Sequence, residues 1–164
     1  LTYIAQQRPG LTVVPVMEDE LLLLSSFPVD DIGGIGDAYV YTDWGPEFTQ
    51  AHAVSLPDMT NAGLTLKLEA LGVEYIVNRR AAAYVPARSA KRHLDAGRLH
   101  LVPGAPVFPY PVWAVFRDDL PDDIRQIALE TLTRVADQAE DAQDDVMQAL
   151  ARISEDDISR LGDD

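Results

Sequence analysis

The sequence contains no cysteine. This absence excludes disulfide bonds, thiolate catalysis and zinc or iron–sulfur sites with cysteine ligands. Long apolar runs are also missing, since the longest, four leucines at residues 21–24, is far shorter than the ~18 residues that a membrane span needs. No secretory signal pattern is visible, and because the chain starts at Leu1 rather than Met we expect the natural N-terminus to lie upstream. These absences favour a cytoplasmic protein.

Basic residues are scarce, and the net charge is −14. Residues 1–117 carry 12 acids and 9 bases, whereas residues 118–164 carry 15 acids and 4 bases. The C-terminal segment therefore holds most of the excess negative charge. Such a surface repels phosphate backbones, so this chain by itself is not expected to bind DNA.

Motifs for catalysis, metals and cofactors are absent as well. The three histidines, His52, His93 and His100, have no metal-ligand spacing, and no nucleophile elbow is present. The glycines of residues 33–36 lack the GxGxxG register of a dinucleotide loop, and the nearby aspartates do not match a calcium loop. The sequence therefore predicts neither an enzyme nor a bound cofactor or metal.

What is present is an alternation of strand and helix patterns, which predicts an α/β fold with a largely parallel sheet. The predicted strands are residues 1–4, 12–17, 20–26, 38–42, 81–86, 98–102 and 112–116. Residues 30–37 are predicted to form a loop. The predicted helices are residues 46–52, 64–76 and 88–95, with Gly97 as a left-handed cap after the last of them.

The C-terminal segment is predicted to be a long acidic helix. Asp119 is its expected N-cap, and an apolar stripe with spacings of three and four continues to Ile153, after which Ser154 is expected to cap a last short helix. A 30-residue helix is about 45 Å long, more than a small lobe can cover. Beyond Asp137 we therefore expect a subunit contact or a loosely packed tail.

Several segments together resemble the effector-binding domain of LysR-type transcriptional regulators. The segment VNRRAAAYVP (residues 77–86) followed by HLDAGRL (93–99) is similar to that family's small-residue strand ending in Leu-Pro, short helix and Gly-Arg/Lys-Leu turn. ELLLLSS (20–26) matches the strand that opens the family's second subdomain, and YVYTDWG (39–45) resembles one branch of the family. Arg79 and Ala81 stand where the family has glycines.

The resemblance implies an α/β effector domain similar to type II periplasmic binding proteins, with two lobes around a cleft. The implied organisation is a crossover strand and turn at 1–10, subdomain two at 11–105, the return to subdomain one at 106–137 and an acidic helical extension at 138–164. The family's helix-turn-helix and the first part of subdomain one have no counterpart here, so the domain is expected to be incomplete.

The implied function is to sense a small-molecule effector, with anions among the candidate classes, within a dimer or tetramer whose DNA contacts come from a helix-turn-helix outside this chain. No membrane partner is implied. The expected cleft-lining residues are Thr2, Tyr3, Thr42, Asp43, Trp44, Val77, Asn78 and Arg79. Other roles stay open: Thr42 and Asp43 also suit a packed turn, and the turn at 78–80 also suits a solvated helix end.

Two other interpretations remain at this point. A solute-binding protein of a transporter has the same two-lobed architecture but needs an export signal. A partner-binding α/β module that uses the acidic helix needs no cleft ligand. The basic helix face of Arg88, Lys91 and Arg92 is predicted to be solvated and to face the acidic C-terminal segment.

Overall fold

The computed structural model describes residues 1–5, 7–60, 63–66 and 69–161, and in the last range the side chains of 72–153. These ranges contain eight strands and four α-helices. In chain order the elements are β1 (Leu11–Met17), β2 (Glu20–Ser25), β3 (Tyr41–Thr42), α1 (Pro46–Ser55), β4 (Thr65–Leu66), α2 (Glu69–Val77), β5 (Ala82–Pro86), α3 (Ala87–Asp95), β6 (His100–Leu101), β7 (Phe108–Pro109), β8 (Val112–Arg117) and α4 (Asp122–Leu161).

The four-leucine run forms the central strand β2 of the larger sheet, in which β5 and β6 flank it and β7 extends it at one end. Leu22 and Leu24 pack with α2 and α3 on one face, and Leu21 and Leu23 pack with an aromatic cluster on the other. All four are at most 2% exposed. Because both faces of the sheet are covered, the strand needs a continuous apolar run rather than an alternating one.

The sheet is mostly antiparallel, so the prediction of a largely parallel sheet is wrong. β2 pairs antiparallel with β5, β6 and β7, and parallel pairing occurs between β3 and β4 and at the isolated Tyr39–Ala82 bridge. Helices α1 and α2 connect the parallel neighbours, as strand–helix alternation predicts. Strand β2 instead follows β1 with no helix between them, and it runs antiparallel to β5.

A second unit is the two-stranded antiparallel ribbon of β1 and β8, in which Leu11 pairs with Arg117 and Met17 with Val112. We call residues 11–17 and 112–121 lobe one, and the described part of residues 20–109 lobe two. The connections at 18–19 and 110–111, together with residues 1–5, are the hinge. β1 lies in lobe one, because its ladder is with β8, although the sequence grouped it with subdomain two.

Local differences from the predicted elements have tertiary causes. Instead of a strand at residues 1–4, only Thr2 forms a bridge, with Trp113. Residues Ile32–Ala38 form two short 3₁₀ turns separated by a kink at Gly36 rather than a loop, and the Asp31 side chain caps the first turn by accepting from Gly34 N. The helix predicted over 64–76 starts at Glu69, since Thr65–Leu66 pair with β3, and residues 67–68 lie outside the described part.

Other predicted elements are confirmed. Helix α1 begins at Pro46, α3 follows β5 directly, and Gly97 has a left-handed φ of 61° after α3. The prediction that Asp119 is the N-cap of the last helix is wrong, because this residue pairs with Arg117. Helix α4 begins at Asp122 instead, where acidic residues face the positive helix end.

Helix α4 is continuous to Leu161, so the predicted break at Ser154 is also wrong. Its predicted apolar stripe is confirmed only in the later part of the helix: Val146 is 3% exposed, whereas Ile124 and Val135 nearer the start are 51% and 57% exposed. The stripe beyond Asp137 packs on lobe two of the same chain, instead of forming the subunit contact or loose tail that we expected. None of the described helices is long and apolar enough to cross a bilayer.

Candidate functional site

The candidate site lies where lobe two meets the hinge. β3 and β5 are brought side by side in the same direction by the Tyr39–Ala82 bridge, so their carboxyl ends reach the same edge of the sheet. At that edge Tyr110 N donates to Asp19 O at 2.6 Å, just before β2 begins. Ligands of α/β proteins bind at such strand ends, which makes this edge the first place to look for a site.

Three aromatic rings meet at this edge. Tyr3 stacks on Tyr110 with ring centroids 4.2 Å apart and planes 13° apart, and Trp44 contacts the same Tyr110 edge-on at 5.3 Å. Trp44 is fixed further because its Nε1 donates to Tyr84 O at 3.0 Å. The structure thus brings together two of the predicted residues, Tyr3 and Trp44, through Tyr110, which the sequence placed only in the segment that returns to subdomain one.

Sequence reasoning missed the role of Tyr110, although a signal was present. The residue stands between Pro109 and Pro111, where the chain passes from lobe two to lobe one. A large aromatic residue held between two prolines has little conformational freedom, and it faces the other hinge segment.

The three rings line a small pocket. Its other walls are Ile4, the α1 N-terminus from Gly45 to Phe48, and the two prolines beside Tyr110. The enclosed space is about 10 Å³, close to the volume that one water occupies. A metabolite therefore enters only if this pocket opens. Glu47 is the only charged side chain among the residues that line it.

An ion pair supports the aromatic stack from the α3 side. The Asp19 carboxylate is fully buried, accepts a hydrogen bond from Glu20 N at 2.8 Å and pairs with the Arg88 guanidinium. Arg88 also donates to the Tyr3 hydroxyl at 3.4 Å. Burial raises the pKa of Asp19, and the positive charge of Arg88 opposes that rise. Arg88 is therefore not on a solvated face, as the sequence predicted, because the buried carboxylate needs its charge.

The rest of the basic face behaves as predicted. Lys91 contacts Asp95 at 3.0 Å and Asp145 of the acidic helix at 3.2 Å, and these carboxylates raise the pKa of Lys91. Arg92 lies 3.7 Å from Glu74. Each cation already faces a carboxylate, so this face has no charge left to recruit a nucleic acid.

Three further predicted residues lie near the hinge but do not line the pocket. Thr2 exchanges two backbone hydrogen bonds with Trp113, of 2.9 and 2.7 Å. Asp43 accepts from Gly45 N at 3.1 Å, which is the packed-turn role. Thr42 is 1% exposed and faces Gly72 of α2, and its hydroxyl has no hydrogen-bond partner within the described residues.

The remaining predicted residues, Val77, Asn78 and Arg79, lie at the opposite end of β2. The Ser26 hydroxyl, just after that strand, donates to Arg79 O at 2.6 Å, and Asn78 Nδ2 donates to Glu74 O at 2.8 Å. At about 3.3 Å per residue, the length of β2 separates this turn from the aromatic pocket by roughly 20 Å. The structure does not bring the two groups of predicted residues together.

A buried histidine, His52, lies in the aromatic core, and its contacts are those of a structural residue. His52 Nε2 is 2.7 Å from the Tyr39 hydroxyl, and desolvation lowers the pKa of His52, so the ring is neutral. The same burial raises the pKa of Tyr39. Within the described residues no group of three histidine, aspartate or glutamate side chains could hold a metal ion.

Comparison by sequence finds no relatives: no family model matches the chain, and neither does any curated protein. Comparison by fold does. DNA-bound DarR of Vibrio fischeri, a regulator of the LysR-type family, aligns with a TM-score of 0.64 and 13% identity over 77% of this chain and 46% of DarR. The bromide-bound regulatory domain of Salmonella typhimurium HypT gives 0.57 and 12%, over 82% and 67%.

The regulatory domain of MetR, a LysR family regulator from N. meningitidis, gives a TM-score of 0.57 and 15% identity over 84% of this chain and 69% of that domain. These matches define the chain as an α/β protein of the periplasmic-binding-protein-like type II class. More particularly, it has the fold of LysR-type regulatory domains, which confirms the predicted resemblance. The chain spans about half the length of the full-length regulators that it matches.

Proposed function

We propose that this chain is the effector-sensing part of a cytoplasmic LysR-type transcriptional regulator. A small molecule binds between the lobes, its affinity differs between two lobe arrangements, and the resulting shift changes DNA binding by a helix-turn-helix located elsewhere in the full protein. The protein is then a regulator that works as a dimer or tetramer, rather than an enzyme. The regulators that share its fold, one of them DNA-bound, support this proposal.

The observation that carries the proposal is the construction of the hinge. The chain crosses between the lobes at 18–19 and at 110–111, and Tyr110 N donates to Asp19 O, so the two crossings are joined. The aromatic pocket is lined by the second crossing, by Tyr3 and Ile4 of the hinge and by the start of α1, so a ligand that enters there touches all three at once. It therefore has the differential contacts that a shift between two arrangements requires.

We propose Tyr3, Trp44 and Tyr110 as the principal effector contacts, with Thr2 and Asp43 at the margin. Thr42 and the turn of Val77, Asn78 and Arg79 remain predictions that the geometry does not favour. An arginine in the cleft was one ground for expecting an anionic effector, and Arg79 is remote from the pocket. The ligand is thus more simply a neutral molecule with an apolar or aromatic part, which Tyr and Trp faces bind well.

The test uses both tryptophans of the chain, Trp44 and Trp113, which lie at the hinge and report on it by intrinsic fluorescence. A panel of metabolites is screened for compounds that raise the Tm, and each one found is titrated by fluorescence. Tyr3→Leu is expected to weaken its binding about 3- to 10-fold, the worth of one aromatic contact. Tyr75→Leu, on α2 away from the pocket, is the control and leaves binding within about 2-fold.

If Tyr3→Leu and Trp44→Phe both retain full affinity, the site is wrong. If no metabolite raises the Tm, the sensing function itself loses its support.

The two alternatives have no specific observation in their favour. The matched regulators are not transport proteins, and the later part of the acidic helix, from Val146 to Ile153, packs inside the chain rather than presenting an interface. The coding sequence upstream of Leu1 tests the proposal directly. A helix-turn-helix in frame there supports a regulator, whereas an export signal followed by a first lobe contradicts it.

A further inference from the structure

Helix α4 makes a third connection between the lobes, besides the two chain crossings. Near its middle, Ala136 and Ala139 pack in a small cluster with Met17 and Val112 of lobe one and with Tyr3 of the hinge. One to two turns further along, the same face of the helix contacts lobe two. A single secondary-structure element is therefore anchored on both sides of the hinge.

The anchor on lobe two is the larger of the two. Val146 is 3% exposed and belongs to the main core cluster of lobe two. The apolar residues that pack against that cluster from α4 are Met147, Ala149, Leu150 and Ile153. Polar contacts add to it: Gln143 Nε2 donates to Glu20 at 2.8 Å, and Asp145 pairs with Lys91 at 3.2 Å.

The anchor on lobe one is weaker. Its two alanines bury little apolar area, and the apolar residues nearer the start of the helix are exposed: Ile124 by 51%, Ile127 by 64% and Val135 by 57%. Hydrophobic stabilisation scales with buried area, so the helix is held to lobe two more firmly than to lobe one.

The helix has no weak point between the anchors. From Ala136 to Val146 it rises about 15 Å at 1.5 Å per residue, and α4 contains no glycine or proline. Sharp bends in helices occur almost always at such residues or at a bulge. The two chain crossings are connections of two residues each, and both lie at one place, where Tyr110 N donates to Asp19 O. The helix adds a third connection that follows a different course, and it therefore limits the angle between the lobes.

We propose that α4 is a strut that holds the two lobes at a fixed angle, and that lobe movement requires lobe one to slide along its two alanines while the helix stays on lobe two. The part of this inference that concerns effector-driven movement depends on the proposed function. The mechanical coupling does not, and it can be measured without any ligand.

The absence of native cysteine makes the measurement direct, since two introduced cysteines are the only labelling sites. Asp119→Cys places a spin label on lobe one and Val54→Cys places one on lobe two, both at exposed positions. Pulsed electron paramagnetic resonance then gives the distribution of distances between the lobes. A single narrow distribution is expected for the full chain.

The decisive variant is Glu140→Pro, which kinks the helix between the anchors without replacing a side chain of either contact surface. It is expected to broaden the distance distribution about twofold or to add a second population, because the anchors can then move independently. The control, Glu140→Ala, keeps the distribution narrow. The milder double variant Glu140→Gly, Asp141→Gly replaces the proline variant if that one does not fold, with a double alanine control.

If a folded proline or double-glycine variant and its alanine control give distance distributions of equal width, the proposal that α4 is a strut is wrong. The distances are measured without ligand, so this result leaves the proposed effector site untouched. Conversely, loss of the effector site by the Tyr3 test leaves the coupling measurement valid.

Discussion

Replacing Thr42 by valine is expected to stabilise the protein. The Thr42 hydroxyl is buried at 1% exposure and has no hydrogen-bond partner in the described part of the chain. A buried polar group without a partner costs about 1–3 kcal/mol, because it has lost its hydrogen bonds to water. Valine has the same shape and no such cost. Gly72 leaves room beside it, since a Cβ built there lies 3.4 Å from Thr42 Oγ1.

We take about 1 kcal/mol as the expected gain in unfolding free energy, the low end of that range. With a denaturant slope of about 2 kcal/mol per molar, the urea midpoint rises by about 0.5 M, and the Tm rises by about 2–4 °C. Urea titration followed by tryptophan fluorescence measures the shift.

The matched control is Thr49→Val, whose hydroxyl donates to Gly45 O at 2.9 Å and lies 2.8 Å from the Tyr41 hydroxyl. This change is expected to cost about 1 kcal/mol, the worth of the lost hydrogen bonds. Thr42→Val lowering the midpoint as much as the control does would refute the reasoning, because the hydroxyl must then have a partner. The same variant also tests effector contact, since a ligand-binding Thr42 loses affinity while stability rises.

Three further predictions concern the hinge and the aromatic core. Arg88→Met leaves the Asp19 carboxylate buried without its partner and is expected to lower the free energy of unfolding, measured with urea at pH 7, by about 3–5 kcal/mol. Burial already raises the pKa of Asp19, so protonation of the carboxylate lessens this loss as the pH falls toward 4. Gly45→Ala forces alanine into a φ of 104° and is expected to cost about 1–3 kcal/mol, measured in the same way against Gly63→Ala as an unstrained control. Burial lowers the pKa of His52, so the stabilisation that its neutral ring provides is complete above 6.5, the pKa of histidine in the unfolded chain, and is lost as the pH falls below that value. His52→Gln is therefore expected to flatten the fall in urea midpoint between pH 7.5 and 5.5. An unchanged slope would contradict this expectation.

Local elements of the fold could be predicted from the sequence, because local patterns encode them. The four-leucine run, Pro46 at a helix start and Gly97 after α3 each carry a short-range physical signal. The strand Thr65–Leu66 carries none. Two residues have no periodicity, and their strand exists only because α1 brings them beside β3. Strand direction in the sheet was missed for a related reason, since β2 arrives from lobe one.

The candidate site could be predicted in part. Tyr3 and Trp44, which the structure brings together, were named because the resemblance marks a crossing strand and a strand end. Arg88 was misjudged because helix periodicity shows which residues share a face but not that a carboxylate 69 positions earlier is buried against one of them. Arg79 was expected in the cleft because the family resemblance places the turn before this strand there. The local sequence does not show which end of the sheet such a turn occupies.

The pairing of the first and last strands has a consequence for the order of folding. Leu11 and Arg117 face each other across a chain segment of more than one hundred residues, so closing this ribbon in the unfolded chain carries a large entropic cost. The pairing of Glu20 with Pro109 lowers this entropic cost, because it already holds the two ends of that segment together. We expect lobe two to form first and the ribbon to close late, so that Val13→Ala mainly speeds unfolding, whereas Leu22→Ala slows folding.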